Sequence, residues 1–588
     1  MRILRSCSIL FLLFWVSPLS GQSKTDSPEF NKLVEEYISG YLAARPHEAV
    51  SLGFHEYDGK LADYSRAGID AEIARLNDFK KRFQKVDVTK ISLRDFHDLR
   101  LIRTAIDSQL FAIVDLKTFE RNPMTYINAL DVNIYLKRNF APLEDRVRNI
   151  IAIENRVQTL VAAAKANLAP DLPRPYVELG IEVTKGGVDF LRKNLPEALG
   201  NLKDKKLRAE LQKSNQTAIG ALQDYATWLT KQKLPKSVPD FAIGPEKYKE
   251  FLSTTELVEL TPEQLLKIGM TELKRQQDAF ATAAAVIDPD KPPVEVFKRI
   301  QKDHPTATNL IPDVAKNLEA IRRYLVDHHI ITLPSEVRPK VEETPQYQRA
   351  TSFASMDTPG PFEKKATEAY YYITPVEKEW PEAQKEEWLT SFNYYTSDVL
   401  SIHEAYPGHY VQFQRLNASP ANKAEKIFSS YGFVEGWAHY AEQMMLDEGF
   451  GSCNCQEPTN EQKIQAAKYR MAQADEAMLR ACRLVASIRM HTQGMSVNEA
   501  TNFFKENCYY EEKPSRSEAM RGTFDPGYLN YTLGKLQILK LREDYKAQEG
   551  SNYSLQKFHD EITNHGMPPI RMLRKLILKD KREWGEVL

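Results

Sequence analysis

Apolar residues along this chain recur mostly with the period of a helix. From Phe30 they fall at Leu33, Val34, Tyr37, Ile38, Tyr41 and Leu42, the three-to-four spacing that puts one face of a helix into a core. Ile73, Leu76, Phe79 and Phe83 repeat the pattern, as do Phe96, Leu99, Ile102, Ile106, Leu110 and Ile113. Pro235, Pro239, Gly244 and Pro245 punctuate the chain once, and Pro334, Pro339 and Pro345 a second time. After the second break the pattern changes. Arg349–Ser355 and Glu368–Thr374 read as strands on either side of a Pro359-Gly360-Pro361 turn, which predicts one antiparallel hairpin. An amphipathic helix then runs from Trp388 through Phe392, Tyr395, Val399 and Ile402. The picture is mainly α with a small antiparallel sheet, and no fixed-period repeat.

Composition narrows the function classes. The 588 residues carry 79 basic and 80 acidic side chains, a net charge of −1, and such a balance argues against a nucleic-acid binder held by a basic field. Arg2 and Arg5 precede an apolar run from Ile9 to Val16 that ends at Ser17-Pro18-Leu19-Ser20-Gly21. This is the layout of a secretory signal peptide over 1–21, and the run is too short to span a bilayer. The expectation is an exported protein, periplasmic or secreted, with no stable membrane span. Residues 22–240 form a helical N-terminal region and 241–588 the region that carries the chemistry, the two expected to build one bilobed fold. Cys453, Cys455, Cys482 and Cys508 remain for disulfides, and their pairing is open; neighbours as near as Cys453 and Cys455 rarely bridge each other.

The sharpest signal is His403-Glu404-Ala405-Tyr406-Pro407-Gly408-His409. Zinc needs imidazoles and a carboxylate converging at about 2.0–2.2 Å with one position left for water, and a Glu beside the first His is placed to take that water's proton. The pair alone means little, since His47-Glu48 and His55-Glu56 also occur. The spacing also departs from His-Glu-x-x-His: a second His at i+6 lies about 240° round an ideal helix from the first. Pro407, which has no N–H, and Gly408, which tolerates almost any dihedral, are the residues able to re-phase the turn.

Downstream, Glu435, His439 and Glu442 fall at i, i+4 and i+7, opposite an apolar stripe of Phe433, Trp437, Tyr440 and Met444. On a lone helix such a polar stripe faces water. Beside two histidines it offers a third ligand, for which Glu435 is chosen, with His439 and Glu442 supporting the ligands. Near the C-terminus, Tyr528, Tyr531, Lys535 and Arg542 share a face of a helix read as starting after Pro526, with Arg521 just upstream. Tyr and cationic donors are what a developing oxyanion requires. His491 is a further loose candidate.

The segments HEAYPGHYVQ, VEGWAHYAEQ, DPGYLNYTLGKLQILKLR and KFHDEITNHGMPP, with ARPHEAVSLGFHEYDGKLADYS near the N-terminus, resemble a bacterial family catalogued as a domain of unknown function, number 885. Its members look like zincin-type metallopeptidases with an HExxPGH motif. The resemblance covers nearly all of the mature chain. It implies a large helical zincin-like fold whose sheet lines a deep cleft, one Zn²⁺ held by His403, His409 and Glu435, Glu404 as general base, and Tyr531 or Tyr528 as the transition-state donor. The expected activity is hydrolysis of a peptide substrate. Two rivals remain: a metal-dependent amidohydrolase or esterase on a non-peptide substrate, and an exported peptide-binding protein without catalysis. Endo- versus carboxy- or dipeptidyl-peptidase specificity is not legible.

Overall fold

The N-terminal apolar stripe is buried as its spacing requires. Ser27 caps the helix Pro28–Ala44 by accepting a hydrogen bond from Phe30 N, and Tyr37, Ile38 and Leu42 pack with Phe79, Phe83, Ile102 and Ile106 of the next two long helices. Ala424, Ile427, Phe428 and Met572 complete that core, so the first helices close directly on the half of the chain that carries the histidines. A second core is built from Tyr126 to Leu229. The structure, a computed structural model, describes residues 27–346, 349, 352–453, 455–579 and 588; the expected signal peptide lies outside them. Among the described residues no helix is long and apolar enough to cross a membrane.

The molecule is mainly helical, with one small sheet whose make-up differs from the expected hairpin. Three short strands, β1 (Lys340–Glu343), β2 (Ala354–Asp357) and β3 (Tyr370–Ile373), pair in the order β1-β3-β2. β3 runs parallel to β1 and antiparallel to β2, so the sheet is mixed rather than purely antiparallel. β1 carries one apolar residue, Val341, among Lys340, Glu342 and Glu343, and gives no strand signal. The segment between β2 and β3 is gripped by the N-terminal helices. Arg138 donates to the carbonyls of Ala366 and Glu368 and to Asp357 Oδ1, at 3.0, 2.8 and 2.9 Å. Phe362 N donates to Leu52 O.

The helix expected to run from Trp388 to Ile402 is two. One spans Glu382–Ser391, and a second, Tyr394–Glu404, starts at Asn393. Asn393 accepts from Thr396 N at 3.0 Å, and an Asn that satisfies an orphan N–H starts a helix where periodicity alone would run through. Beneath the site lies a 33-residue helix, Asn460–Thr492, packed along Pro262–Ile287. Cys453 is bonded to Cys455, contrary to the expectation for such near neighbours, and Cys482 to Cys508.

Candidate metal centre

His403 ends the helix Tyr394–Glu404, and His409 begins the next, His409–Ala418. The Pro407-Gly408 step therefore breaks the helix rather than widening a turn, and it returns the second imidazole to the first: the ring centroids are 4.9 Å apart and perpendicular. The crossing depends on Gly408. A Cβ there would lie 1.7 Å from His403 O and 2.5 Å from Ile402 O, while Gly408 N donates to Ile402 O at 3.0 Å. Pro407 O is held by Trp437 Nε1 at 2.9 Å, which ties the break to the helix Tyr431–Asp447.

That helix presents Glu435 to both rings. Its Oε2 lies 3.7 Å from His403 Nε2 and 3.5 Å from His409 Nε2, and the three side chains offer ligand atoms all within 4.8 Å of one another. Glu435 Oε2 is buried without a hydrogen-bond partner among the described residues. Buried polar atoms are nearly always paired, so a carboxylate oxygen orphaned between two imidazole nitrogens is a donor set that fits a zinc ion. The electrostatics agree. Burial works against the imidazolium of His403, yet the Glu435 and Glu442 carboxylates outweigh it and raise its pKa to about 9. Burial would likewise raise the Glu435 carboxyl, but the two imidazoles hold it well below the usual carboxylate range. The site calls for positive charge.

Behind His403 the polar stripe is buried rather than solvated. His403 Nδ1 lies 2.6 Å from Glu442 Oε1, and His439 Nδ1 3.1 Å from Glu442 Oε2. Despite burial, Arg480 and the two imidazoles keep Glu442 ionised, so it can only accept. Nδ1 of His403 must then carry a hydrogen, which makes Nε2 the atom available to a metal ion once its own proton is displaced, the arrangement by which a carboxylate orients a metal-binding imidazole. His439 is fully buried and stays neutral, its pKa pushed by burial to about 3. Glu404 stands beside the ligands and accepts from Met356 N of β2 at 3.2 Å, which brings the free edge of the sheet to the site.

The C-terminal candidates divide. The helix begins at Asn530 and carries Tyr531, Lys535 and Arg542, while Tyr528 sits on a 3-10 turn before it, Pro526–Leu529, and so falls outside the expected helical face. Tyr528 is fully buried with its hydroxyl against Gly522, and His491 Nε2 donates to Gly522 O at 2.8 Å, so both belong to the packing around the long helix rather than to the three ligands. Lys535 is fully buried, 3.0 Å from Glu272 Oε1. Arg542 donates to Tyr440. Tyr531 packs on the helix that carries Glu435: its ring lies 5.8 Å from that of Tyr431, one turn before Glu435. Arg521 donates to the Tyr431 hydroxyl at 2.9 Å. The two helices meet backbone to backbone, since a Cβ on Gly436 would lie 2.5 Å from Gly534 Cα, and one on Gly534 1.9 Å from Gly432 O.

Two residues escaped the sequence reading. Arg480 sits 3.3 Å from Glu442 Oε1; its signal is that it is one of two arginines, with Arg483, inside the otherwise apolar run Ala477–Val485. Glu256 gives no local signal. It is 4% exposed and accepts from Gly432 N at 3.1 Å and from Ser430 Oγ, capping the helix that carries Glu435. Burial raises its carboxyl from 4.5 to about 7. The folded state therefore binds this proton more tightly than the unfolded chain, so stability is full below pH 4.5 and is lost as pH rises toward 7, by about 3 kcal/mol in all. Melting curves of Glu256→Gln should gain on the wild type between pH 5 and 8; parallel pH profiles would rule out the buried proton.

A model of the family described as bacterial protein of unknown function (DUF885) matches residues 46–577. No curated protein matches the chain. Two solved structures share the fold. A candidate lipoprotein of unknown function from Shewanella oneidensis superposes with a TM-score of 0.77 at 23% identity, over 94% of this chain and 100% of that one. A candidate lipoprotein from Colwellia psychrerythraea gives 0.75 at 17% identity, over 93% and 98%.

Proposed function

The chain belongs to the bacterial DUF885 family, and from that footing we propose that it is an exported, zincin-like zinc peptidase. One observation carries the reading: Nε2 of His403 and of His409 turn toward the same orphaned oxygen of Glu435, with Glu404 adjacent. His403, His409 and Glu435 would hold the ion, which when bound supplies a Lewis acid and lowers the pKa of a water from 15.7 toward about 7. Glu404 takes the water's proton as its hydroxyl oxygen joins the carbonyl carbon, and delivers that proton to the amine nitrogen as the C–N bond breaks. The outer edge of β2, whose Met356 N already reaches Glu404, pairs with the substrate backbone as an added strand. Tyr531, beside Tyr431, is the donor for the charge that develops on the carbonyl oxygen. Export is supported by the description of both structural neighbours as candidate lipoproteins and by the N-terminal sequence pattern.

Metal stoichiometry tests the reading at its root. Elemental mass spectrometry of the purified protein should find about one zinc per chain, and His409→Ala should lose it. A wild type that takes up no metal when zinc is offered and the excess removed leaves two histidines and a glutamate with no catalytic meaning.

A further inference from the structure

Three arginines converge on one aromatic ring beside the candidate metal centre. The guanidinium carbons of Arg480 and Arg483, on the long helix, and of Arg521, on the helix Glu512–Phe524, lie 5.8, 5.1 and 5.7 Å from the Tyr531 centroid. None uses its full donor set. Arg483 gives Nε and Nη2 to Glu518, both at 2.8 Å. Arg521 gives Nε to Asp525 at 3.1 Å and Nη2 to the Tyr431 hydroxyl. Arg480 turns Nη1 to Glu476 and Nη2 to Glu442. Nε of Arg480, a residue only 6% exposed, is buried without a hydrogen-bond partner among the described residues. A buried guanidinium N–H without a partner calls for an acceptor, and a carboxylate is the planar match.

The surroundings fit a free peptide. Arg521 also lines a cavity of about 1580 Å³, with Lys513 and Arg516 from its own helix and Glu178, Glu182 and Asp189 from the helix Arg174–Asp189; Arg480, Arg483, Tyr531 and the three candidate ligands do not line it, so Arg521 alone joins the cavity to the guanidinium cluster. The cavity's volume exceeds the roughly 300–1,000 Å³ of a small-molecule pocket, and its acids suit an ammonium as its bases suit a carboxylate. We propose that Arg480, Arg483 and Arg521 form the subsite for the terminal carboxylate of a short peptide, so that the protein removes residues from the C-terminal end. The proposal rests on the peptidase reading and names its substrate class.

The test uses zinc-loaded protein and an N-acetylated peptide free of Asp and Glu, offered as the free acid and as the C-terminal amide, with products read by mass spectrometry. The acid should lose C-terminal fragments, and the amide should be cut about 10- to 100-fold more slowly, the worth of a charge-assisted contact. Arg521→Gln should narrow that ratio and Arg521→Lys restore part of it. Equal cleavage of acid and amide, or cuts independent of the chain end, overturn the subsite while leaving the peptidase reading intact. Preference for an amidated peptide with one internal Glu would assign the arginines to a side-chain carboxylate and overturn the terminal assignment. Should no peptide be cut, the peptidase reading fails, and the subsite is still decided by calorimetry on Glu404→Gln protein: tighter binding of the acid supports it, equal affinity overturns it.

Discussion

On the proposed zinc site, Gly408→Ala should cut zinc affinity by at least about 100-fold and cost on the order of 4 kcal/mol of stability, the size reserved for changes that the surrounding structure cannot absorb. The added methyl would meet the carbonyl oxygens and carbonyl carbon of two backbone residues, at 1.7 Å from His403 O, 2.4 Å from His403 C and 2.5 Å from Ile402 O. No side chain can swing aside to relieve these contacts. The helices must part, and His409, the next residue, moves with the break. Metal ligands tolerate only about 0.2 Å of displacement, so zinc affinity should fall by at least about 100-fold. Zinc titration and thermal melts read both effects. Gly220→Ala, on a helix where nothing lies within 4 Å of the new methyl, serves as the comparison and should leave zinc binding unchanged. A Gly408→Ala protein that binds zinc normally would refute the account of the helix break.

Glu404→Gln should keep the zinc and lose turnover by about 10³-fold or more, at the upper part of the range for a general base. The separation of the two effects is what the geometry requires. Glu404 is not among the three side chains that share the ligand cluster, and the amide oxygen of Gln still accepts from Met356 N, so the edge of β2 keeps its place. What Gln cannot do is take a proton. Measuring metal content and peptide hydrolysis on one preparation decides the matter: activity within tenfold of wild type removes Glu404 from the mechanism, and loss of metal makes it a ligand or a structural support instead.

Much of the architecture could be read from the chain because its signals are local. The stripe from Val34 to Leu42 is a core face in the structure as it is in the pattern, and ligand chemistry, with Pro407-Gly408 to re-phase the turn against an unfavourable spacing, grouped His403, His409 and Glu435, which the structure brings within 4.8 Å. The features that stayed hidden depend on distant partners. β1 is a strand only because β3 lies beside it; its own residues are mostly charged. Tyr528 and Tyr531 look alike in sequence, and only the close approach of Gly522 sends one into the core. The polar stripe of the Glu435 helix reads as solvated until Arg480 and His403, from two other helices, are seen to enclose it.

Glu435 and Tyr531 flank the crossing of Gly436 on Gly534, where two backbones touch. Helices in such contact can neither slide nor roll past each other without collision, so the crossing acts as a ruler that fixes the span from the proposed metal ligand to the proposed hydroxyl donor. The helix Glu512–Phe524 is held mainly through side chains instead: Arg521 reaches Tyr431 through a long one, and Gly522 is pressed against the Tyr528 hydroxyl. A lineage that shifted to larger or smaller substrates would therefore leave this ruler untouched and change residue size along Glu512–Phe524.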